Sequence, residues 1–362
     1  MTSPEFHAAL ASLPVPAAAL LSAPVAVLAM PAAASLFTVG TAVSLAASTV
    51  LVGRIARAGE CLRLSNAAVG LIAALCADAP EVTSAVTAFS HHQADVGVGV
   101  VFGSNIFNLA GLLGLGAIFA GSISVHRRAA ILEGAVGGFI ALIGLLAGLR
   151  VMPPAAALGL SAIALVLYAA LTAVRARTVR RLPIPPAAAV WLVRAVREES
   201  LDASAALPAH ASGRQAAPDA AIAAAALAVV VAASIAMEHG ATSLGAHYDL
   251  PNIVTGGIIL AAVTSLPNAV AGIYLSAKGR GTAVMSGAMN SNAFNVMAGL
   301  LVPGVALPLA AESPGAVLSA IWYAAMTAGV IVLVVAGRGL TRLSGAAIIA
   351  GYLCFVGVIV AR

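Results

Sequence analysis

The stretch ALCADAPEVTSA, residues 74–85, places Asp78 and Glu81 three residues apart around Pro80, inside a long apolar run. In helical geometry residues three apart share a face. A carboxylate at the centre of a bilayer costs about 3 kcal/mol on insertion scales, and two adjacent anions also repel each other. A bound cation, or a proton on one of the pair, relieves both penalties, so the spacing suits cation binding in competition with H+. Pro80 has no N–H, which leaves the carbonyl of Cys76 without its helical partner. Pro267 does the same to the carbonyl of Val263. Freed carbonyl oxygens are good ligands for hard cations. Broken backbone at membrane depth is tolerated only where it is buried in protein or lines a wet cavity.

Neutral oxygens recur in the same pattern. Ser104 and Asn108 are four apart with Asn105 beside them; Ser291, Asn292 and Asn295 repeat the layout; Thr264, Ser265 and Asn268 flank Pro267. Hydroxyl and amide oxygens ligate a cation without adding charge. The candidate cation site is therefore Asp78, Glu81, Ser104, Asn105, Asn108, Thr264, Ser265, Asn268, Ser291, Asn292 and Asn295. Within it, Asn105 and Asn292 are the members best suited to joining helices.

The elements that must hold these groups follow from composition. With 61% hydrophobic and only 9% charged residues in 362, the chain lacks the polar surface of a soluble fold and is expected to be an all-α polytopic membrane protein. Apolar runs long enough to span fall at about 33–53, 64–90, 95–120, 129–149, 153–174, 219–246, 251–277, 282–310, 315–337 and 342–361. Residues 1–32 form an apolar N-terminal segment broken by Pro16, Pro24 and Pro31, without the basic start of a signal peptide. Residues 175–218 form an Arg-rich hydrophilic loop. Its part REESLDASAALPAHASGRQAAPD reads as a flexible linker, with a short amphipathic helix around Trp191. If that loop is cytoplasmic, alternation of the spans puts sixteen of the eighteen Lys and Arg inside, which fixes the orientation. The expected location is a prokaryotic inner membrane. The net charge of +5 does not indicate nucleic acid, because the basic residues sit in short loops and aromatics are only 4%. Cys61, Cys76 and Cys354 are scattered, with no metal spacing and no disulfide framework.

The sequence also repeats itself. GLIAALCADAPE from Gly70 and GIILAAVTSLPN from Gly257 are offset by 187 residues, as are SNIFN from Ser104 and SNAFN from Ser291. The same offset carries the first five spans, 33–174, onto the last five, 219–362. An odd number of spans per repeat turns the second copy upside down. Ten transmembrane helices as two inverted five-helix repeats, broken at the midplane, are a recurring plan of secondary transporters.

At residues 64–120 and 251–310 the chain resembles the cation/calcium antiporter superfamily, which includes the sodium/calcium exchangers. Its repeats read like G-T-S-x-P-E followed by G-S-N-x-F-N. Here CADAPE, TSLPN, GSNIFN and NSNAFN stand in mirrored positions. The resemblance implies ten spans with cation sites on the second, third, seventh and eighth, and implicates Glu81, Ser104 and Asn108 with Thr264, Ser265 and Ser291. Three positions depart from the pattern. Asn268 replaces the usual second-repeat glutamate, Asn295 stands where some sodium/calcium exchangers have an aspartate, and Ala77–Asp78 replaces Thr-Ser. Both carboxylates thus fall in the first repeat.

The expected function is secondary antiport of Ca2+ or a similar cation against Na+ or H+, and the resemblance implies sliding or rocking of the first and sixth spans against the rest. An H+-coupled exchanger without sodium dependence is the alternative, then a cation channel, then an intramembrane hydrolase using Asp78 and Glu81 as acid and base. No enzymatic activity and no resident cofactor are expected. The partners are the lipid bilayer and the inorganic cations carried, and the residues leave oligomeric state open. Outside the motif, Glu133 reads as a surface charge. Glu238 and His239 read as an interfacial pair or a proton relay, and His91, His92 and Asp95 as a solvated outer turn or a peripheral metal or pH-sensing site.

Overall fold

The computed structural model describes residues 27–61, 76–173, 183–203, 216–307 and 313–361. The apolar runs are helices: α1 (Met30–Cys61), α2 (Ala79–Ser90), α3 (Ala94–Asn108), α4 (Gly116–Ala120), α5 (Arg127–Gly148) and α6 (Pro154–Ala173). α7 (Pro186–Ala203) lies within the hydrophilic loop, and after it come α8 (Ala216–His247), α9 (Asn252–Val254), α10 (Ala261–Thr264), α11 (Leu266–Ala277) and α12 (Gly281–Phe294). The last are α13 (Val302–Ala306), α14 (Pro314–Gly337) and α15 (Arg342–Val360). Among the described residues, seven helices are long and apolar enough to cross a membrane, and α9–α10 with α11 form a further pair bent by 45°. The chain is an integral membrane protein built of helices. Local chemistry starts several of them. Ser313 Oγ accepts from Ala316 N–H ahead of Pro314, and Thr341 and Ser344 form a capping box at the head of α15.

Three wide turns interrupt the helices. π-helical segments at Leu109–Leu115 and Asn295–Leu301 continue α3 and α12 at positions matched by the sequence offset, and a third spans Thr255–Leu260. Such insertions concentrate near functional sites.

Close crossings set the packing. Every residue of α3 from Val96 to Ile106 is buried, which makes this helix the centre of the fold. It crosses the Thr255–Leu260 segment where a Cβ on Gly99 would lie 2.7 Å from the backbone N of Gly257, and one on Gly103 would collide with the Gly257 carbonyl. Side-chain-free positions are what allow this approach. α1 packs mainly on α8, with backbone contact at Gly40 and Gly240 and a 2.9 Å hydrogen bond between the Ser44 and Ser234 hydroxyls.

Several expectations change. An antiparallel pair of short strands, β1 (Ser122–Ser124) with β2 (Gly339–Thr341), adds to the helices. Gly339 takes φ +133°, a backbone that other residues rarely adopt. α1 runs past residue 53 to Cys61, so Arg54 and Arg57 lie in helix rather than loop. Arg54 pairs with Asp219 of α8 at 2.7 Å. The linker expectation fails at both ends. Arg197–Ala203 completes α7, and α8 begins at Ala216. Arg128 holds Glu198 through a 2.6 Å ion pair and a backbone N–H bond of 3.1 Å, which docks α7 on α5. Glu133 is not a surface charge. It is 1% exposed, because it shares the buried row Ala130, Gly134, Gly137 and Ile140 along α5. Residues 1–26, the first half of the expected 64–90 span, and 174–182, 204–215 and 308–312 lie outside the described residues.

Candidate functional site

The two Pro-containing stretches fold alike. The helix breaks at Asp78, φ −82° and ψ 0°, just ahead of Pro80 in the first turn of α2. It breaks again at Ser265, φ −88° and ψ 1°, ahead of Pro267 in the first turn of α11. Asp78 and Ser265 are related by the 187-residue offset, and each starts a new helix in the same backbone conformation. Proline is tolerated in a first helical turn, where its N–H would have had no partner anyway. The break is therefore encoded locally in both copies.

The breaks bring the two halves of the sequence into contact through matched hydrogen bonds. Asn105 Nδ2 donates to the Asn292 carbonyl at 3.1 Å, and Asn292 Nδ2 donates to the Asn105 carbonyl at 3.0 Å. Asn108 Nδ2 donates to Asn292 Oδ1, and its mate Asn295 Nδ2 donates to Asn105 Oδ1, both at 3.2 Å. Ser265 Oγ donates to Glu81 Oε1 at 3.1 Å, and Asn268 Nδ2 donates to Asp78 Oδ1 at 3.3 Å. Each pair of bonds maps onto itself under the offset. Asn105 and Asn292 thus hydrogen-bond the two halves to each other.

Around this framework the acids are enclosed. Asp78 is 0% and Glu81 1% exposed. Asp78 Oδ1 also accepts from Ser291 Oγ at 2.6 Å, and Ser291 in turn accepts from Asn108 Nδ2 at 3.0 Å. The second carboxylate oxygen of each acid, Ser104 Oγ and Asn295 Oδ1 have no hydrogen-bond partner among the described residues. The described salt bridges, Arg54–Asp219 and Arg128–Glu198, involve neither acid. Buried acceptors of this kind are costly unless something neutralises them. The collected atoms are carboxylate, amide and hydroxyl oxygens, a hard-cation donor set.

The structure gathers most of the expected residues. Thr264 is buried beside the break, but its hydroxyl turns back to the carbonyl of Leu260 at 2.9 Å. Ser104 is buried without a described partner. Two polar residues were missed: Ser84 and Thr87 of α2 are fully buried, and neither hydroxyl has a hydrogen-bond partner among the described residues. Their spacing of three from Glu81 and from each other was the available signal. Of the peripheral groups, Asp95 accepts from Ser313 Oγ at 2.9 Å and His92 is exposed. Glu238 is 0% exposed, which overturns the interfacial reading.

Comparison with known proteins bears on the family and the fold. The model of the sodium/calcium exchanger protein family matches residues 32–176 and 219–361. The fold is similar to the H+/Ca2+ exchanger CAX, with a TM-score of 0.65, 12% identity, and 99% of this chain and 93% of that one covered. It is also similar to the sodium-calcium exchanger NCX_Mj soaked with zero Na+ and Ca2+, with a TM-score of 0.53, 18% identity, and 91% and 100% covered. A protein of Alkalimonas amylolytica named as an antiporter, CaxA, is 32% identical over 82 residues, 23% of this chain and 26% of that protein.

Proposed function

The chain belongs to the sodium/calcium exchanger protein family, and from that premise we propose a secondary antiporter that exchanges Ca2+ or a similar cation for Na+ or H+. The observation that carries this reading is the enclosed pair Asp78 and Glu81, each with one oxygen bonded to the opposite half and one without a described partner. A cation on those oxygens relieves the burial cost of the charges. A proton does so too, and competition for the same oxygens couples the two fluxes.

On this reading the residues divide their work. Asp78 and Glu81 supply charge; Ser104, Asn108, Ser265, Asn268, Ser291 and Asn295 supply neutral oxygens or hold the acids in place. Thr264 adds a lone pair, and Asn105 and Asn292 lock the halves together. The proposed architecture is ten spans in two inverted repeats, 33–174 and 219–362, joined by the cytoplasmic loop 175–218 in a prokaryotic inner membrane. The matched hydrogen bonds support the repeat. Among the described residues α1 packs extensively on α8 and only slightly on other elements, which supports a moving unit made of the first and sixth spans, with the packing of α8 on α2 as the surface that must give.

The H+-coupled form is favoured over a sodium-dependent one by the donor set. Asn268 stands where a second-half carboxylate would be, so both charges sit on one side of the site. Two neighbouring carboxylates on one side suit one divalent ion exchanged against protons better than several sodium ions, which need ligands spread over both halves.

The test is Ca2+ uptake into proteoliposomes. An outwardly directed H+ gradient, acid inside, with choline replacing Na+ is expected to drive uptake, and Asp78→Asn with Glu81→Gln is expected to abolish it. Unchanged flux in the double variant contradicts the role assigned to the acids. Uptake that needs Na+ replaces the proton reading with the sodium one.

A further inference from the structure

A second cluster of ligand atoms lies outside the repeat. His91 follows the end of α2, and Glu238 and His239 are neighbours on α8. One ligand atom from each of the three lies within 4.8 Å of the others. The two imidazoles meet edge to face, with centroids 4.8 Å apart and planes at 76°. Glu238 is 0% exposed, and neither of its carboxylate oxygens has a hydrogen-bond partner among the described residues. The offset that relates the two halves carries His91 to Lys278 and Glu238 and His239 back to Leu51 and Val52. The cluster therefore occurs once and is no part of the duplicated site.

Two imidazole nitrogens with one carboxylate oxygen are a borderline donor set. It suits Zn2+ and its first-row neighbours, whereas Ca2+ prefers six or more oxygens. Ligands at about 2.1 Å in a tetrahedron stand about 3.4 Å apart, so small side-chain rotations close the observed spacing. A fourth position stays open, and the ion neutralises a carboxylate that is otherwise expensive to bury.

We propose that His91, Glu238 and His239 form a Zn2+-class transition-metal site that pins α8 to the end of α2 and slows exchange. The slowing rests on the antiport reading above, in which α8 moves with α1; the binding does not. Glu81, Ser84, Thr87 and His91 succeed each other at steps of three and four along α2. A metal at His91 thus caps the row of side chains that leads from the central acids.

The experiment uses the purified full chain and ZnCl2 alone, read by competition with a chromophoric chelator and by thermal unfolding. One Zn2+ per chain is expected in the wild type and in Asp78→Asn with Glu81→Gln, with a rise in Tm. Glu238→Gln and His239→Asn are expected to weaken binding by about tenfold or more, whereas His91→Cys, which keeps a zinc ligand, retains it. Retained binding in both Glu238→Gln and His239→Asn, or loss confined to the Asp78 and Glu81 variant, overturns the site. In proteoliposomes Zn2+ is expected to slow Ca2+ flux in the wild type but not in His239→Asn. Zinc that binds without slowing a measurable flux overturns the pinning. A chain with no exchange activity that still binds Zn2+ through Glu238 upholds the site and contradicts the antiport reading instead.

Discussion

Asn105 and Asp78 are both fully buried but differ in how their polar atoms are satisfied. Both side-chain polar atoms of Asn105 are bonded, its amide donating to the Asn292 carbonyl and its oxygen accepting from Asn295. Asp78 uses one oxygen and leaves the other without a described partner. Replacing each therefore has a different signature. Asn105→Ala removes bonds between the halves, and interhelical hydrogen bonds in membranes are worth about 1 kcal/mol each. Its expected effect is a stability loss of about 1–2 kcal/mol with ion preference unchanged, read from thermal unfolding and from competition between Ca2+ and Mg2+. A changed ion preference with unchanged stability would move Asn105 from the framework into the binding set.

At the scale of elements, backbone contact sets the tolerance to change. A Cβ on Gly99 would lie 2.7 Å from Gly257 N, inside any real contact, whereas Gly159 of α6 has open space. Gly99→Ala is expected to cost about 1–3 kcal/mol by overpacking, and Gly159→Ala to be neutral or slightly stabilising, since alanine favours helix. Equal thermal unfolding of the two variants would refute the crossing of α3 with the Gly256–Gly257 turn. The helices themselves were legible in the sequence, because an apolar run near twenty residues has one common solution in lipid. Their ends were less so. α1 continues through Arg54 because Asp219, 165 residues away, supplies its partner. The β1–β2 ribbon was not legible, since three-residue strands carry no periodicity. Neither were the π turns, where the apolar pattern runs on without a mark. In the candidate site, the paired motifs pointed to Asp78, Glu81 and the asparagines, which the fold brings into hydrogen-bond contact. The grouping of His91 with Glu238 was hidden, because it depends on a helix packing that no short motif records.

For the whole molecule, the proposed exchange requires α1 and α8 to move as one body past Asp78 and Glu81. The Ser44 and Ser234 oxygens are 2.9 Å apart across that pair. A Ser44→Cys and Ser234→Cys disulfide is expected to leave Ca2+ flux intact under oxidising conditions, because it joins two helices that travel together. Flux that stops on oxidation and returns on reduction would place the sliding surface between α1 and α8 instead. On the proposed function, Asp78 and Glu81 at the head of α2 are the place where ions compete. The most direct measurement is equilibrium binding of Ca2+ to the purified chain, with proton release recorded in a weakly buffered solution. The account predicts saturable binding that displaces protons and disappears in Asp78→Asn with Glu81→Gln. Undiminished Ca2+ binding by the folded double variant would contradict it.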